Sequence, residues 1–249
     1  MGRRLGQHFL NRESILDRIA CAACPEREPL VVEIGPGKGA LTKHLLARSG
    51  KVVAIETDLT LVEHLAAKFS GAGNLTLVHA DALETDLLQW GRAVFAGNLP
   101  YYVSSPILRR VLRLKGALVR CVFLVQKEVA ERLVASPGSR SYGLLSVETA
   151  LYARPELLFS VPASAFSPPP KVESALVRLT PHGEEPPEAD DLLSFVARCF
   201  HQKRKTLRNN LPGPRERRML ENRPESSLRA EQLSLDQFQD LYQRLKSFP

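Results

Sequence analysis

The chain reads as an α/β protein with a mostly parallel central sheet, followed by a small all-helical C-terminal region. Three observations support this. Short apolar runs alternate with segments of helical period through the first half. The chemically suggestive residues fall just after the runs rather than inside them. Composition changes abruptly after about residue 179. Alternation of this kind builds βαβ units, whose parallel sheets carry helices on both faces. Ligands of such sheets bind beyond the carboxyl ends of the strands.

The elements follow in order. Residues 11–23 have a helical period, with Asn11 as the cap and Ile15, Leu16 and Ile19 on one face. Residues 30–34 form a short apolar strand that runs into glycines, and 40–47 return to a helical period. Residues 51–56 are a strand, and 59–69 a helix with Leu61, Leu65 and Phe69 spaced by four. Strands follow at 75–79 and 93–97, a helix at 106–114, and a long buried strand at 118–125.

Residues 180–191 carry three prolines, five acidic residues and no Lys or Arg, so they read as an exposed linker. Residues 201–223 then hold eight basic side chains against two acidic ones, close to the whole excess of a chain whose net charge is +7. Apolar residues at helical spacing follow, from Leu228 to Leu245. The expected organisation is a domain at 1–180, a linker at 181–191 and a helical domain at 192–249. A basic balance permits a nucleic-acid partner without proving one. No apolar run reaches the roughly 20 residues that span a bilayer, and the first residues lack a signal-peptide core. The expectation is a cytoplasmic monomer with no membrane partner. Cys21 and Cys24 form a C-x-x-C, while Cys121 and Cys199 stand alone. Zinc would want a second pair at matching spacing and a redox role would want the pair beside a strand-to-helix turn, so Cys21 and Cys24 are expected to be buried structural thiols, with no metal, and four free thiols suit a reducing compartment.

Glu33-Ile34-Gly35-Pro36-Gly37-Lys38-Gly39 follows the first strand and opens a helix. Glycines there let a backbone approach a ligand where a Cβ would collide. The spacing suits a nucleotide-type ligand; a plain tight turn is the alternative. Glu56 ends the next strand, seventeen positions after Gly39. A carboxylate there can accept both ribose hydroxyls, or simply be a solvated strand end. Asp81 follows the third strand and can accept from an adenine amino group, although Asp is also a common helix cap.

Gly97-Asn98-Leu99-Pro100-Tyr101-Tyr102 follows the fourth strand. This motif names a chemistry. The amino nitrogen of adenine is a poor nucleophile, because its lone pair is delocalised into the ring. Two acceptors around its hydrogens would draw it toward tetrahedral geometry and free that pair. An Asn side-chain oxygen and a backbone carbonyl beside a constrained proline can supply them. The tyrosine ring would stack on the purine. A sulfonium donor is already activated, so pre-organised geometry should carry most of the rate. In isolation N-L-P-Y is also a common turn; its place after a glycine turn and two strand-end acids argues for the chemistry.

Taken together, these motifs resemble the ribosomal RNA adenine dimethylases, the KsgA-type family, over nearly the whole chain. Gly6-Gln7-His8-Phe9-Leu10, E-I-G-P-G-K-G, I-E-T-D, H-A-D-A-L and G-N-L-P-Y occur in the family's order. So do Q-K-E-V-A from Gln126, S-Y-G from Ser141, F-S-P-P-P-K-V-E-S from Phe166, and a segment resembling the family's basic C-terminal helix from Lys203 to Leu211. The resemblance implies a Rossmann-like class I methyltransferase with S-adenosylmethionine as cofactor. It implies that His8, Leu10, Gly35, Gly37, Glu56, Asp81 and Asn98 hold the cofactor. Asn98, Leu99, Pro100, Tyr101 and Phe166 would form the catalytic turn and clamp, with Tyr101 and Phe166 sandwiching a flipped adenine. Flipping is needed because N6 of a stacked base cannot reach the donor in line. Arg140, Lys171, Lys203, Arg204, Lys205 and Arg208 would contact RNA; a solvated basic face is the plainer alternative. The implied partner is 16S rRNA in an immature 30S subunit, dimethylated at two adjacent adenines in a hairpin loop near its 3′ end.

Three other readings remain. Large-subunit methylases of the antibiotic-resistance type usually carry Ile where this chain has Leu99, and the Phe166 segment also favours the small-subunit enzyme. An assembly factor with secondary methylation would tolerate loss of Asn98. A nicotinamide oxidoreductase would need a hydride-transfer partner that N-L-P-Y does not offer.

Overall fold

The computed structural model describes residues 8–183 and 188–247. Gly6 and Gln7 of the N-terminal motif lie outside these residues, as do residues 184–187 of the expected linker. The chain divides into two compact units, Met1–Ala130 with Arg154–Glu184, and Glu131–Ala153 with Glu185–Pro249.

The first unit is built on β2 (Glu28–Ile34), β3 (Ser49–Glu56), β4 (Leu75–His79), β5 (Ala93–Asn98), β6 (Leu118–Gln126), β7 (Ala153–Val161) and β9 (Ser174–Pro181), in the spatial order β4-β3-β2-β5-β6-β9-β7. The pairs β3–β4, β2–β3, β2–β5 and β5–β6 are parallel, and β6–β9 is antiparallel. This is the Rossmann-like class I arrangement that the motifs imply. Helices α1 (Glu13–Ala23), α2 (Ala40–Arg48), α3 (Leu59–Lys68) and α4 (Ser104–Leu112) accompany the strands. Central strands covered on both faces need near-continuous apolar runs, and Val31, Val32, Val52, Val53, Val94, Phe95, Val122 and Phe123 are all buried. Strand order reverses at β2: the chain goes outward to β3 and β4, then returns to place β5 on the other side of β2. That reversal opens a crevice at the carboxyl ends of β2 and β5.

Two strands escape the sequence reading. The apolar run of β9 from Ala175 to Leu179 is interrupted by Arg178, whose guanidinium reaches Glu156 on β7 with Nη2–Oε2 at 2.9 Å. β7 is an edge strand of mixed polarity carrying Pro155, as edges tolerate. A short ribbon, β1 (Phe9–Leu10) against β8 (Phe166–Ser167), also joins distant segments. This ribbon moves the start of α1: Asn11 is not the cap, because its N–H donates to the Ala165 carbonyl at 3.1 Å and Arg12 holds the cap position.

The second unit is helical: α6 (Leu144–Tyr152), α7 (Ala189–Cys199), α8 (Leu207–Asn210), α9 (Pro214–Met219) and α10 (Leu235–Ser247), with α5 (Lys127–Leu133) leading into it. It takes in residues 131–153, which the sequence reading put with the sheet. The reason is α6, which is buried nearly all round and packs on α7 and α10. Phe200 joins its core to Phe238, with ring centroids at 5.8 Å, and to Tyr142 at 6.3 Å.

All four cysteines are free thiols. Burial pushes Cys24 up to about 11 and Cys199 up to about 12, and raises Cys121 as well. Cys21 departs from the expectation: it is only half-buried, and its thiol donates to Asp17 Oδ2 at 3.8 Å. No helix among the described residues is long and apolar enough to cross a membrane.

Candidate active site

The crevice at the strand reversal is a cleft of about 660 Å³, lined by the glycine turn, Glu56, Asp81, residues 98–103 and His8 to Asn11. That volume suits a cofactor-sized ligand. The sequence-predicted residues Gly35, Gly37, Glu56, Asp81, Asn98, Leu99, Pro100, Tyr101, His8 and Leu10 therefore meet in one place. They come from segments up to 93 residues apart.

The turn after β2 holds Gly35, Gly37 and Gly39 at φ of 69°, 57° and 74°. Those values belong to the left-handed region that only glycine enters without cost. Gly39 does more than turn: a Cβ there would lie 2.6 Å from Phe69 Cε2, so this glycine also lets α2 start against the end of α3. Gly37 N–H donates to Glu56 Oε2 at 3.1 Å. The other Glu56 oxygen accepts from the N–H groups of Thr57 at 2.9 Å and Asp58 at 3.1 Å. Three backbone donors thus fix this buried carboxylate at the end of β3, beside the glycine turn. Asp81, beyond β4, is exposed and lines the same cleft, and its Oδ1 also caps the following turn by accepting from Leu83 N–H at 2.8 Å. The capping and cleft-lining positions therefore coexist at Asp81.

Asn98 ends β5, and its Nδ2 donates to the His8 carbonyl at 3.0 Å. The amide nitrogen is thereby committed, which leaves the side-chain oxygen as the free acceptor. In the turn that follows, Pro100 O accepts from Val103 N–H and Tyr101 O from the Ser104 hydroxyl, each at 3.1 Å. The Leu99 carbonyl has no hydrogen-bond partner among the described residues. An amide oxygen and a peptide oxygen are thus both available next to each other in sequence. The Tyr101 hydroxyl is tied to Ser174 Oγ at 2.8 Å, which holds the far end of the ring in place.

Phe166, implied as one ring of the clamp, is not brought to the cleft wall. It is 4% exposed, belongs to the core packed against α1 and the sheet, and does not line the cleft. The cause is the β1–β8 ribbon, in which Phe166 sits opposite Leu10 and turns its ring inward. The ring that faces Tyr101 is His8, with centroids at 5.7 Å and planes at 29°.

Sequence reasoning missed Glu33. It is 1% exposed, lines the cleft, and its Oε2 has no partner among the described residues. Burial pushes its carboxyl up to about 8; the Thr42 hydroxyl pulls it back and the Glu56 charge raises it further. The available signal was an acid near the end of an otherwise apolar strand. An orphaned buried carboxyl oxygen beside a glycine cradle marks the place of a polar ligand, and a cation placed there would favour loss of the Glu33 proton, so the residues present fit a sulfonium cofactor. A stability consequence follows. The folded group binds its proton up to about pH 8, while the unfolded group releases it near its ordinary value of 4.5. Stability is therefore lost as pH rises through that window. The neutral Glu33→Gln protein lacks this loss. Its melting temperature without cofactor should overtake that of the wild type by several degrees between pH 5 and pH 8, in thermal melts at each pH. Parallel curves would refute a buried neutral carboxyl.

Of the RNA-contact candidates, Arg140, Lys203, Arg204, Lys205 and Arg208 all belong to the second unit and all are exposed; Lys171 is exposed in the first. Only Arg208 lies on a helix. Lys203 to Lys205 form a turn before α8, because Asn210 organises it: Nδ2 donates to the carbonyls of Cys199 at 2.9 Å and Gln202 at 3.1 Å, while Oδ1 accepts from Gln202 N–H at 3.0 Å. Lys203 Nζ donates to the Arg140 carbonyl at 3.1 Å, which joins the two loops.

A family model described as ribosomal RNA adenine dimethylase matches residues 2–247. A protein of Chromohalobacter salexigens named ribosomal RNA small subunit methyltransferase A is 43% identical over 220 residues, 84% of this chain and 78% of its own. Among solved structures, a dimethyladenosine transferase from Plasmodium falciparum superposes with a TM-score of 0.81 at 26% identity, covering 96% of this chain and 98% of its own. The 23S rRNA methyltransferase ErmE gives a TM-score of 0.76 at 27% identity, covering 96% and 100%.

Proposed function

We infer the reaction from one premise: this chain belongs to the ribosomal RNA adenine dimethylase family. It is an S-adenosylmethionine-dependent rRNA (adenine-N6,N6)-dimethyltransferase. Its substrate is a pair of adjacent adenines in a hairpin loop near the 3′ end of small-subunit (16S) rRNA. Likeness to solved structures does not by itself choose the subunit, since a dimethyladenosine transferase and a 23S rRNA methyltransferase both superpose well. The name carried by the 43%-identical relative favours the small subunit. The RNA is met within the immature 30S particle, by a monomer acting in the cytoplasm, as a step in ribosome biogenesis.

One observation carries this reading: two turns on adjacent strands β2 and β5, the glycine turn and N-L-P-Y, line one cleft. The bound donor supplies an electrophilic methyl group on a sulfonium. Glu56 holds the ribose hydroxyls, Asp81 the adenine amino group, and the glycine turn the methionine part. Asn98 Oδ1 and the Leu99 carbonyl accept the two hydrogens of the target amine and localise its lone pair toward the donor. Pro100 keeps that carbonyl in place, and Tyr101 stacks on the target ring. A flipped base costs a few kcal/mol, less in a loop than in a duplex. Incubation with labelled donor and unmethylated 30S particles, followed by mapping of the modified bases, tests the whole reading. Absence of incorporation despite intact cofactor binding would overturn it.

The basic turn supplies phosphate contacts. Changing Arg204, Lys205 and Arg208 together to Ala should weaken RNA binding and flatten its salt dependence by roughly two to three units of slope, at about 0.7–0.9 per lost contact. Filter binding across a salt series measures this. An unchanged slope would return these residues to an ordinary solvated face.

A further inference from the structure

We propose that Glu33 tells the methyl donor from its demethylated product, by yielding its carboxyl proton to solvent when the sulfonium arrives and regaining one when the methyl group has left. The inference rests on the dimethylase reading above, which supplies the identity of the donor. Donor and product share an adenosine, an amino group and a carboxylate. They differ by one methyl group and by one positive charge at sulfur. A site that holds them differently has to respond to that charge. Glu33 is placed to do so. It lines the cleft two residues before Gly35, yet it is 1% exposed, and its Oε2 has no partner among the described residues. Its neighbours across the sheet are Ala54 on β3 and Ala96 on β5, and α2 contributes the neutral, buried Thr42. The charge acting on the carboxyl is that of Glu56, which has the same sign. The other charged groups along the cleft belong to its rim. Lys38, Lys68 and Asp81 are exposed, and the exposed Lys43 lies 3.7 Å from Glu13. The His8 ring is tied to the Pro168 carbonyl and the Tyr101 hydroxyl to Ser174.

Burial and the Glu56 charge push the Glu33 carboxyl up to about 8, so near neutral pH it keeps its proton when no ligand is bound. A carboxylate attracts a cation several times more strongly in such a poorly solvated place than in water. Binding of the donor therefore exchanges one positive charge for another: the proton leaves for solvent and the sulfonium takes over. Methyl transfer breaks the bond from sulfur to carbon and leaves its electron pair on a neutral thioether. The lone pair of the target amine forms the new bond to carbon, and the proton displaced from that amine passes to solvent. Glu33 is then a buried carboxylate without a counter-charge, and it takes a proton back from solvent. The product meets a neutral carboxyl and is held by the shared groups alone. The sign follows from linkage: an affinity that depends on releasing a proton rises with pH, by up to about tenfold per unit below the raised value.

The test is titration calorimetry of the wild type and of Glu33→Gln with S-adenosylmethionine and with S-adenosylhomocysteine. It is run without RNA, at pH 6 and pH 7, in buffers of different ionisation heat. Both ligands carry an amino group that titrates near pH 8, and comparison with Glu33→Gln removes its share. In the wild type the ratio of donor affinity to product affinity should rise about fivefold to tenfold from pH 6 to pH 7. Close to one proton should be released with the donor, and close to none with the product. In Glu33→Gln the ratio should stay within about twofold, with no excess proton release. Parallel pH profiles for the two ligands in the wild type would overturn the proposal. So would the same rising ratio in Glu33→Gln, or a Glu33→Gln protein that melts as a folded chain and has lost both ligands alike. Should Glu33→Gln not fold, the wild-type proton counts decide alone, and equal counts for the two ligands overturn it. A wild type that binds neither ligand sinks the dimethylase reading itself, and this proposal with it; a wild type that binds both without the difference sinks the role of Glu33 alone.

Discussion

Asn98→Ala should lower single-turnover methylation by at least about a hundredfold while leaving the fold intact. Removing one pre-organised polar group that acts on the transition state typically costs 10²–10³ in rate. Here the group has two duties. Its oxygen accepts one amine hydrogen, and its nitrogen holds the His8 carbonyl at 3.0 Å. Alanine loses both, while the Leu99 carbonyl remains. One acceptor can orient the amine but cannot by itself pull both hydrogens out of the ring plane. The side chain is half-buried at the end of an edge-protected strand, so its truncation leaves no large cavity, and melting should fall only slightly. Asn98→Asp keeps an acceptor but loses the donor to His8, and should retain more rate than Ala. The measurement is quench-flow or manual single-turnover transfer with enzyme in excess over particles. A rate for Asn98→Ala within fivefold of wild type would remove the amide from the chemistry.

How much of this was visible in the chain follows from which interactions are local. β2, β3, β5 and β6 are covered on both faces, so they appear as continuous apolar runs and their ends point to the cleft. Glycines at three positive φ angles are likewise a local demand of one turn. What was hidden depends on pairing between distant segments. β9 is interrupted by Arg178, which is satisfied only by Glu156 across the sheet. The inward turn of Phe166 is decided by its place opposite Leu10, 156 residues earlier. Lys203 to Lys205 leave the helix because Asn210 reaches back to carbonyls eight and eleven residues away. Glu33 looks like an ordinary strand acid until its burial on all sides is known. Motif order therefore located the cleft, whereas the identity of the ring facing Tyr101 and the charge state of Glu33 required tertiary packing.

Gly97→Ala should be the most damaging single methyl group that can be added near the site. Gly97 lies on β5, opposite Phe123 of β6, one residue before Asn98. A Cβ at this position would overlap the Ile34 carbonyl oxygen and come within 3.3 Å of the carbonyl carbon. Both belong to the backbone of β2 where it enters the glycine turn. A flexible side chain could swing aside; a strand carbonyl cannot without parting β2 from β5. Forced overpacking against a rigid neighbour costs about 3 kcal/mol or more. For a chain of this size that is a fall in melting temperature of roughly 6–12 °C. Parting these two strands also separates Gly35 from Asn98, so cofactor affinity should fall together with stability. Gly73→Ala is the control: a Cβ there meets nothing within 4 Å, and its melting point should stay within about 2 °C of wild type. Differential scanning calorimetry and S-adenosylhomocysteine titration of both variants decide the matter. A Gly97→Ala protein that melts with the wild type would mean that β2 and β5 are not held this closely, and that the strand reversal does not bring the two turns together as described.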